Sequence, residues 1–501
     1  MSVSGRELTA LVLDKGSWVS WDEPPHEPSS LGTRYAQQLA AARERSGVDE
    51  SVITGEGTIY GRRVAVVCCE FAFLGGSIGV AAAERLVRAV ERATAERLPL
   101  VASPASGGTR MQEGTVAFLQ MVKISAAVAL HRAAGLPYLV YLRHPTTGGV
   151  FASWGSLGHV TAAEPGALVG FLGPKVYEAL YGARFPEGVQ VSENLVERGV
   201  LDAVVAPQEV RDVTAEVLEV LCSTGRPRRV ARTVPAEALA DVPAWESIER
   251  SRRPERPGVR ALLKLGARHV TLLSGTAAGE RDPGLLLALA KFGAAPCVVL
   301  GQDRRGQQMQ QAVGPAGLRE ARRGMRLAEE LHLPLVTVID TSGAALSKEA
   351  EEGGLAGEVA RSLAELVLLD APTVCVLLGQ GAGGAALALL PADRLIAAQH
   401  AWLSPLPPEG ASAIRYRTTE RAAQIAAEQG VRSLDLLRNG VIDRIVAERP
   451  DAADEPERFL GRLASVLEEE LVTLLRGDVA DLLTQRLARY RHLGLGSGGR
   501  S

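Results

Sequence analysis

Four short glycine-rich segments are the places where this chain can do chemistry: Ser106-Gly107-Gly108, Thr147-Gly148-Gly149, Ser342-Gly343-Ala344 and Gly383-Gly384-Ala385. Each directly follows an apolar run. Glycine lets the backbone bend sharply there and lets a ligand come close to the main chain. The pattern predicts amide N–H groups left free at the start of a helix. Such groups stabilise negative charge developing on an oxygen, the oxyanion-hole arrangement. One such turn is an ordinary strand-to-helix connection; four in a common register point to a site.

Side-chain chemistry is thinly represented beside these turns. The sequence holds no P-loop, no G-x-S-x-G elbow and no H-E-x-x-H. Its eight histidines and five cysteines lack metal-ligand spacing, so no metal is expected. His144 stands next to the TTGG turn as a strand-end residue. Glu113 is placed to complement a helix N-terminus rather than to act as a base. Arg110, Lys123 and Lys175 are the cations near the first-half turns, and Arg110 is the candidate for binding a phosphate. The run Lys348-Glu349-Ala350-Glu351-Glu352 reads as a solvated face.

The elements that must position the turns occur twice, at one constant offset along the chain. LPLVASPASGGTR, from Leu98, is echoed by LPLVTVIDTSGAA, from Leu333. LPYLVYLRHPTTGGV, from Leu136, is echoed by APTVCVLLGQGAGGA, from Ala371. Pro137 with Pro372, and Gly148-Gly149 with Gly383-Gly384, keep the same spacing. RGVLDAVVAP against NGVIDRIVAE arrives slightly later, as an insertion would cause. Each half alternates fully apolar runs such as YLVYL and TVCVLL with Ala-rich helical stretches, the pattern of an α/β fold with buried parallel strands. The Pro- and Arg-rich stretch 226–258 reads as a linker between domains 1–225 and 259–501. The segment from Met1 to Glu50 reads as a helical extension, and the tail GLGSGGRS as frayed.

Composition sets the outer bounds. With 501 residues, 46% hydrophobic, 23% charged and a formal net charge of −3, the chain has the profile of a globular protein of two domains. That charge points to no nucleic-acid partner and no membrane surface. Cys68, Cys69, Cys297 and Cys375 fall in apolar strand-like runs, as buried reduced thiols do. These features predict no signal peptide, no transmembrane helix and a cytoplasmic location.

The segment ASGGTRMQEG, with LPYLVYLRHPTTGGVFASWGSLGHVTAAEPGALVGFLGPKVYE, strongly resembles the beta subunit of bacterial acetyl-CoA carboxylase carboxyltransferase. LPLVTVIDTSGAALSKEAEEGG, GQGAGGAALALLPADRL and PPEGASAI resemble the matching alpha subunit, and AWESIERSRRPERPG resembles the opening of the alpha portion. The resemblance spans roughly residues 50 to 450 and implies a fused beta–alpha carboxyltransferase made of two tandem crotonase-like domains. It implies an acyl-CoA bound by the first half and carboxybiotin, on a separate carrier, bound by the second. The carboxyl group would pass to the α-carbon, giving malonyl-CoA from acetyl-CoA or methylmalonyl-CoA from propionyl-CoA. By motif position Gly107, Gly108, Gly148 and Gly149 serve the thioester side; Gly343, Ala344, Gly384 and Ala385 serve the biotin side, with Gly383 in the biotin-binding turn. The partners implied are biotin carboxylase, biotin carboxyl carrier protein and a second copy of this chain, as a dimer or a hexamer of dimers. The family's zinc ribbon has no counterpart here, Ser342 stands where a proline is common, Ala385 stands where a further glycine is usual, and Arg143-His144 replaces a small-acidic pair. A hydratase, isomerase or decarboxylase of the same fold, or a non-catalytic CoA-binding or scaffolding subunit, are the alternatives.

Overall fold

The computed structural model describes residues 3–25, 32–223, 233–235, 237, 239–309 and 312–494. The chain divides into two compact units, Met1–Cys222 with Ala277–Gly279, and Ser223–Thr276 with Glu280–Ser501. The tail read as frayed lies mostly outside the described residues.

The strands of the first unit are β1 (Val19–Ser20), β2 (Val52–Ile59), β3 (Arg62–Cys69), β4 (Leu100–Ser103), β5 (Tyr138–Leu142), β6 (Thr146–Thr147), β7 (Val160–Ala163), β8 (Val169–Gly170) and β9 (Ala203–Val204). Their main sheet has the order β1-β2-β3-β4-β5-β7-β9, and β6 pairs separately with β8. The β1–β2 and β2–β3 pairs are antiparallel. From β3 onward every pair is parallel. The central strands β4 and β5 are buried at every residue, which is why LVAS and YLVYL read as unbroken apolar runs.

Helix Val80–Ala95 places Ala82, Ala83, Leu86, Val87, Val90 and Ala93 at helical spacing on the core. Helix Gly114–Ala133 packs against it. The stretch Met111–Ala133 has the length and apolarity of a membrane span, with a mean hydropathy of 1.3, yet a third of it is buried within this unit. Two further helices, Gly5–Val12 and Thr33–Ser46, form the N-terminal extension.

The second unit repeats the plan with β10 (Arg268–Leu273), β11 (Leu285–Phe292), β12 (Ala295–Gln302), β13 (Leu335–Thr341), β14 (Thr373–Ala382), β15 (Arg394–Ala398), β16 (Trp402–Ser404) and β17 (Arg444–Val446). The order is β10-β11-β12-β13-β14-β15-β17, with β16 on β14. Carrying the starts of β4, β5 and β7 forward by the offset of the repeat lands on the starts of β13 and β14 and just inside β15. The sequence repeat is therefore a repeat of strands. The helix caps repeat as well: Gly79 (φ −102°, ψ −172°) opens Val80–Ala95, and Gly314 (φ −103°, ψ −171°) opens Pro315–Glu330.

The stretch that composition marks as a linker is partly built into the second unit. Residues 224–232, 236 and 238 lie outside the described residues. From Ala244 to Ser251 the chain is a helix whose Ile248 joins a cluster with Ala382, Trp402 and Ala426. Trp402 Nε1 donates to Ser251 Oγ at 2.9 Å. Arg256 is buried in a two-pronged pair with Glu448, both contacts at 2.6 Å. Arginine content marks exposed chain only on average; an arginine with a buried carboxylate partner reverses it.

Candidate active site

The first pair of turns leaves the C-terminal ends of β4 and β5. Ser106 and Thr146 form a parallel bridge, and Thr147 N donates to Ser106 O at 2.9 Å. This holds the two glycine segments side by side. Gly108 (φ +110°) and Gly148 (φ +67°) are both in the left-handed region where a side chain is strained. A Cβ built on Gly149 would lie 3.2 Å from Thr109 Oγ1, so the next residues touch too.

Not every turn amide is free, contrary to the expectation from the sequence. Gly107 N donates to Gly75 O at 3.0 Å and Gly108 N to Ser106 Oγ at 3.0 Å. Gly148 N donates to Phe171 O at 2.9 Å and to Gly170 O at 3.2 Å. In the second unit Gly343 N donates to Thr341 Oγ1 at 3.2 Å. These four glycines spend their N–H groups inside the protein. Gly383, Gly384 and Ala385 stand in the first turn of a helix, without intrahelical acceptors, and the amides of Gly149 and Ala344 have no backbone acceptor among the described residues. Thr109, which the sequence motifs did not single out, shares that condition. Only the Gly383 turn opens directly into an α-helix, Gly383–Leu387, whose first amides have no intrahelical partner.

Register within the repeat is sharper in three dimensions than in the sequence. Gly383 has φ +67°, matching Gly148, and Gly343 (φ +144°) occupies the position of Gly108. Gly384 therefore corresponds to Gly149, and Ala385 to Val150. Alanine at 385 faces no torsional demand, because the left-handed residue is Gly383. Ala385 is fully buried, and its carbonyl accepts from Gln302 Nε2 at 2.8 Å. Ser342 occupies the place of Gly107 and is exposed.

The charged residues near the first pair hold the turns from beneath. Arg110 is 1% exposed. It donates to Glu50 Oε2 at 3.0 Å, Ser77 O at 2.8 Å and Ser51 Oγ at 3.1 Å, so its guanidinium points into the unit and not toward a phosphate. Burial works against its charge, and the Glu50 carboxylate more than restores it. Glu113 accepts the Val80 N–H at 2.6 Å and the Tyr35 hydroxyl, so it complements the N-terminus of helix Val80–Ala95. Burial, together with Glu113, pushes the Tyr35 phenol up. Arg143 is also buried, donating to Ser103 Oγ at 2.9 Å, Val3 O at 2.9 Å and the Cys69 carbonyl. That accounts for the arginine ahead of PTTGG: it ties the ends of β3 and β4 to the N-terminus. His144 accepts from Leu168 N at 3.1 Å and holds a neighbouring loop. Lys123 pairs with Glu84, and the Lys175 side chain lies outside the described residues. Lys348, Glu349, Glu351 and Glu352 are exposed around buried Ala350.

The loop Phe73–Ile78 went unnoticed in the sequence. Gly75 O accepts the Gly107 amide, and Gly76 (φ +64°) sits so close to Ala105 O that no Cβ would fit. Its signal was the Gly75-Gly76-Ser77 tract between a buried strand and a helix.

Unpaired backbone donors at the ends of parallel strands can hold an anionic oxygen. In the second unit Ala344 and Val359 pack against an apolar cluster that includes Ala345.

Residues 6–474 match the carboxyl transferase domain family. The chain is 62% identical over 489 residues, 98% of each chain, to the probable biotin-dependent acyl-coenzyme A carboxylase beta3 subunit of Mycobacterium tuberculosis (strain ATCC 25618 / H37Rv). It is 36% identical to the acetyl-coenzyme A carboxylase carboxyl transferase subunits beta/alpha of Salinispora arenicola (strain CNS-205), over 97% of this chain and 89% of that one. The fold is that of transcarboxylase 12S, with a TM-score of 0.72 at 20% identity over 92% of this chain and 89% of the other. With the two crotonase-like halves and their backbone donors, these likenesses place the chain in the carboxyl transferase domain family, as the carboxyltransferase beta subunit of a biotin-dependent acyl-CoA carboxylase.

Proposed function

We propose that this subunit moves a carboxyl group from carboxybiotin to the α-carbon of a short acyl-CoA, acetyl-CoA or propionyl-CoA. The observation that carries the reading is the pair of cognate free amides, Gly149 in the first unit and Gly384 in the second. The first unit takes the thioester: Gly149 holds the enolate oxygen, while Gly107, Gly108 and Gly148 hold the turn in place. The second takes the biotin ring on Ala344, Gly384 and Ala385, with Gly383 and Gly343 shaping the backbone. Biotin, when bound, supplies the carboxyl group and the base; the chain supplies position and a fixed field of N–H dipoles.

Each unit also exposes apolar side chains. In the first, Met111, Val116, Phe118 and Val122 are between 59% and 83% exposed; in the second, Leu346 and Ile414 are 93% and 65% exposed. Surfaces of this kind support a homodimer, or a hexamer of dimers, in which the half-sites of two copies face each other. The outside partners are a biotin carboxylase and a biotin carboxyl carrier protein. The free cysteines support a cytoplasmic location.

The reading is tested in reverse, with malonyl-CoA or methylmalonyl-CoA and free biotin as acceptor. Biotin-dependent decarboxylation of either is expected. Loss of neither substrate would overturn the short-chain assignment.

A further inference from the structure

The two halves share a second device at cognate positions. Ser106 and Thr341 are separated by the same offset as Gly148 and Gly383, and each is the last polar residue before its glycine turn that is buried. They are 0% and 1% exposed. The Ser106 hydroxyl accepts from Gly108 N at 3.0 Å and lies 3.3 Å from Gly108 O. The Thr341 hydroxyl accepts from Gly343 N at 3.2 Å and lies 2.8 Å from Gly343 O. In each case the hydroxyl closes on the residue two positions ahead, the glycine whose φ is positive.

The hydroxyl decides which amide faces outward. By taking the Gly108 and Gly343 N–H groups it fixes the following peptide, and Thr109 and Ala344 are left with free N–H groups. The strap is held from the other side too. Arg110 N donates to Ile78 O at 2.9 Å, and Ala345 N donates to Val313 O at 3.1 Å. Ile78 and Val313 again keep the offset of the repeat. Thus in both units one amide is flanked by two that are tied down, and in the first unit Gly149 N lies 3.6 Å from where a Cβ on Gly108 would stand.

We propose that Ser106 and Thr341 are positioning residues. Each is a hydroxyl clasp that aims a main-chain donor, Thr109 N–H on the thioester side and Ala344 N–H on the biotin side. This rests on the carboxyltransfer reading. The clasp is a side chain, so it can be removed without deleting the donor. A hydroxyl suffices, which is why serine serves one half and threonine the other.

The test compares Ser106→Ala with Ser106→Thr, and Thr341→Val with Thr341→Ser, in the full-length enzyme. Turnover is followed in the malonyl-CoA or methylmalonyl-CoA decarboxylation assay with free biotin, alongside acyl-CoA affinity and thermal unfolding. Ser106→Ala and Thr341→Val are expected to lower kcat by roughly 10- to 100-fold, the scale of a misplaced catalytic group. Acyl-CoA affinity and the unfolding midpoint should stay near those of the parent, and Ser106→Thr and Thr341→Ser should recover most of kcat. A loss of kcat that tracks loss of folded protein, or that the hydroxyl-bearing variants do not recover, overturns the clasp. So does full activity in Ser106→Ala and Thr341→Val. An inactive parent enzyme would instead remove the reading on which the clasp rests.

Discussion

A methyl group on Gly148 would lie 3.4 Å from the Cα of Gly108, and one on Gly108 would lie 3.6 Å from the Cα of Gly148. The two turns meet backbone to backbone, and both residues carry positive φ. Gly148→Ala therefore imposes left-handed strain of about 1–2 kcal/mol and sets a methyl in contact with the Gly108 backbone. We expect kcat to fall by about 100-fold or more, as when an oxyanion donor is lost, with the protein still folded by thermal melting. Parent-like turnover would remove the first pair of turns from the site.

Glu113 tests side-chain catalysis against a structural role. Its carboxylate sits on the first turn of helix Val80–Ala95, so Glu113→Gln should cost roughly 1 kcal/mol of stability and leave kcat within a few-fold. A kcat loss of about 100-fold or more would assign it to proton transfer.

The buried pair Arg256–Glu448 predicts acid sensitivity of the second unit. Burial alone would raise the Glu448 carboxyl, but Arg256 overcomes it and holds it below its ordinary value. A depressed carboxylate contributes stability above its unfolded pKa and loses it as pH falls through the folded value. Glu448→Ala leaves Arg256 buried without its main partner and should cost about 3–5 kcal/mol. A chemical-denaturation series across the acid range checks both, and a variant as stable as the parent would contradict the pair's importance.

Glu320 has the opposite sign. Burial pushes its carboxyl up to about 8, and its Oε2 has no hydrogen-bond partner. The folded state thus binds this proton more tightly than the unfolded chain. Its contribution is complete below the unfolded value and is lost as pH rises through about 8. Glu320→Gln should flatten the stability profile between about pH 5 and pH 9, most visibly by a higher melting midpoint at the alkaline end. An unchanged profile would mean that the group ionises freely.

The exposed face of helix Gly114–Ala133 predicts assembly. Phe118→Asp with Val122→Asp should shift sedimentation toward the monomer and lower turnover together. An unchanged assembly would free that face of any role between copies.

Much of this was legible in the sequence. The repeat register, the buried strands and the glycine turns all follow from local apolar runs and from residues that alone tolerate a sharp bend. What escaped was the direction of each N–H. That depends on where Ser106, Thr341, Gly75 and Phe171 come to lie, and no spacing within a single segment encodes it. The stretch 226–258 shows the same dependence on distant chain: Arg256 owes its burial to Glu448, 192 residues away. Ala385 looked like a departure because side chains were compared, whereas the torsion of Gly383 is what the two halves share.

Making the donors out of main chain has an evolutionary consequence. Every amino acid except proline carries the N–H that Thr109 and Ala344 offer, so a change of side chain at those positions leaves the donor standing. The burden of inheritance shifts to neighbours such as Gly108 (φ +110°) and Gly343 (φ +144°), whose torsions residues with a side chain rarely adopt. On the carboxyltransfer reading, side chains beside the ligand can then change while the main-chain donors stay in place.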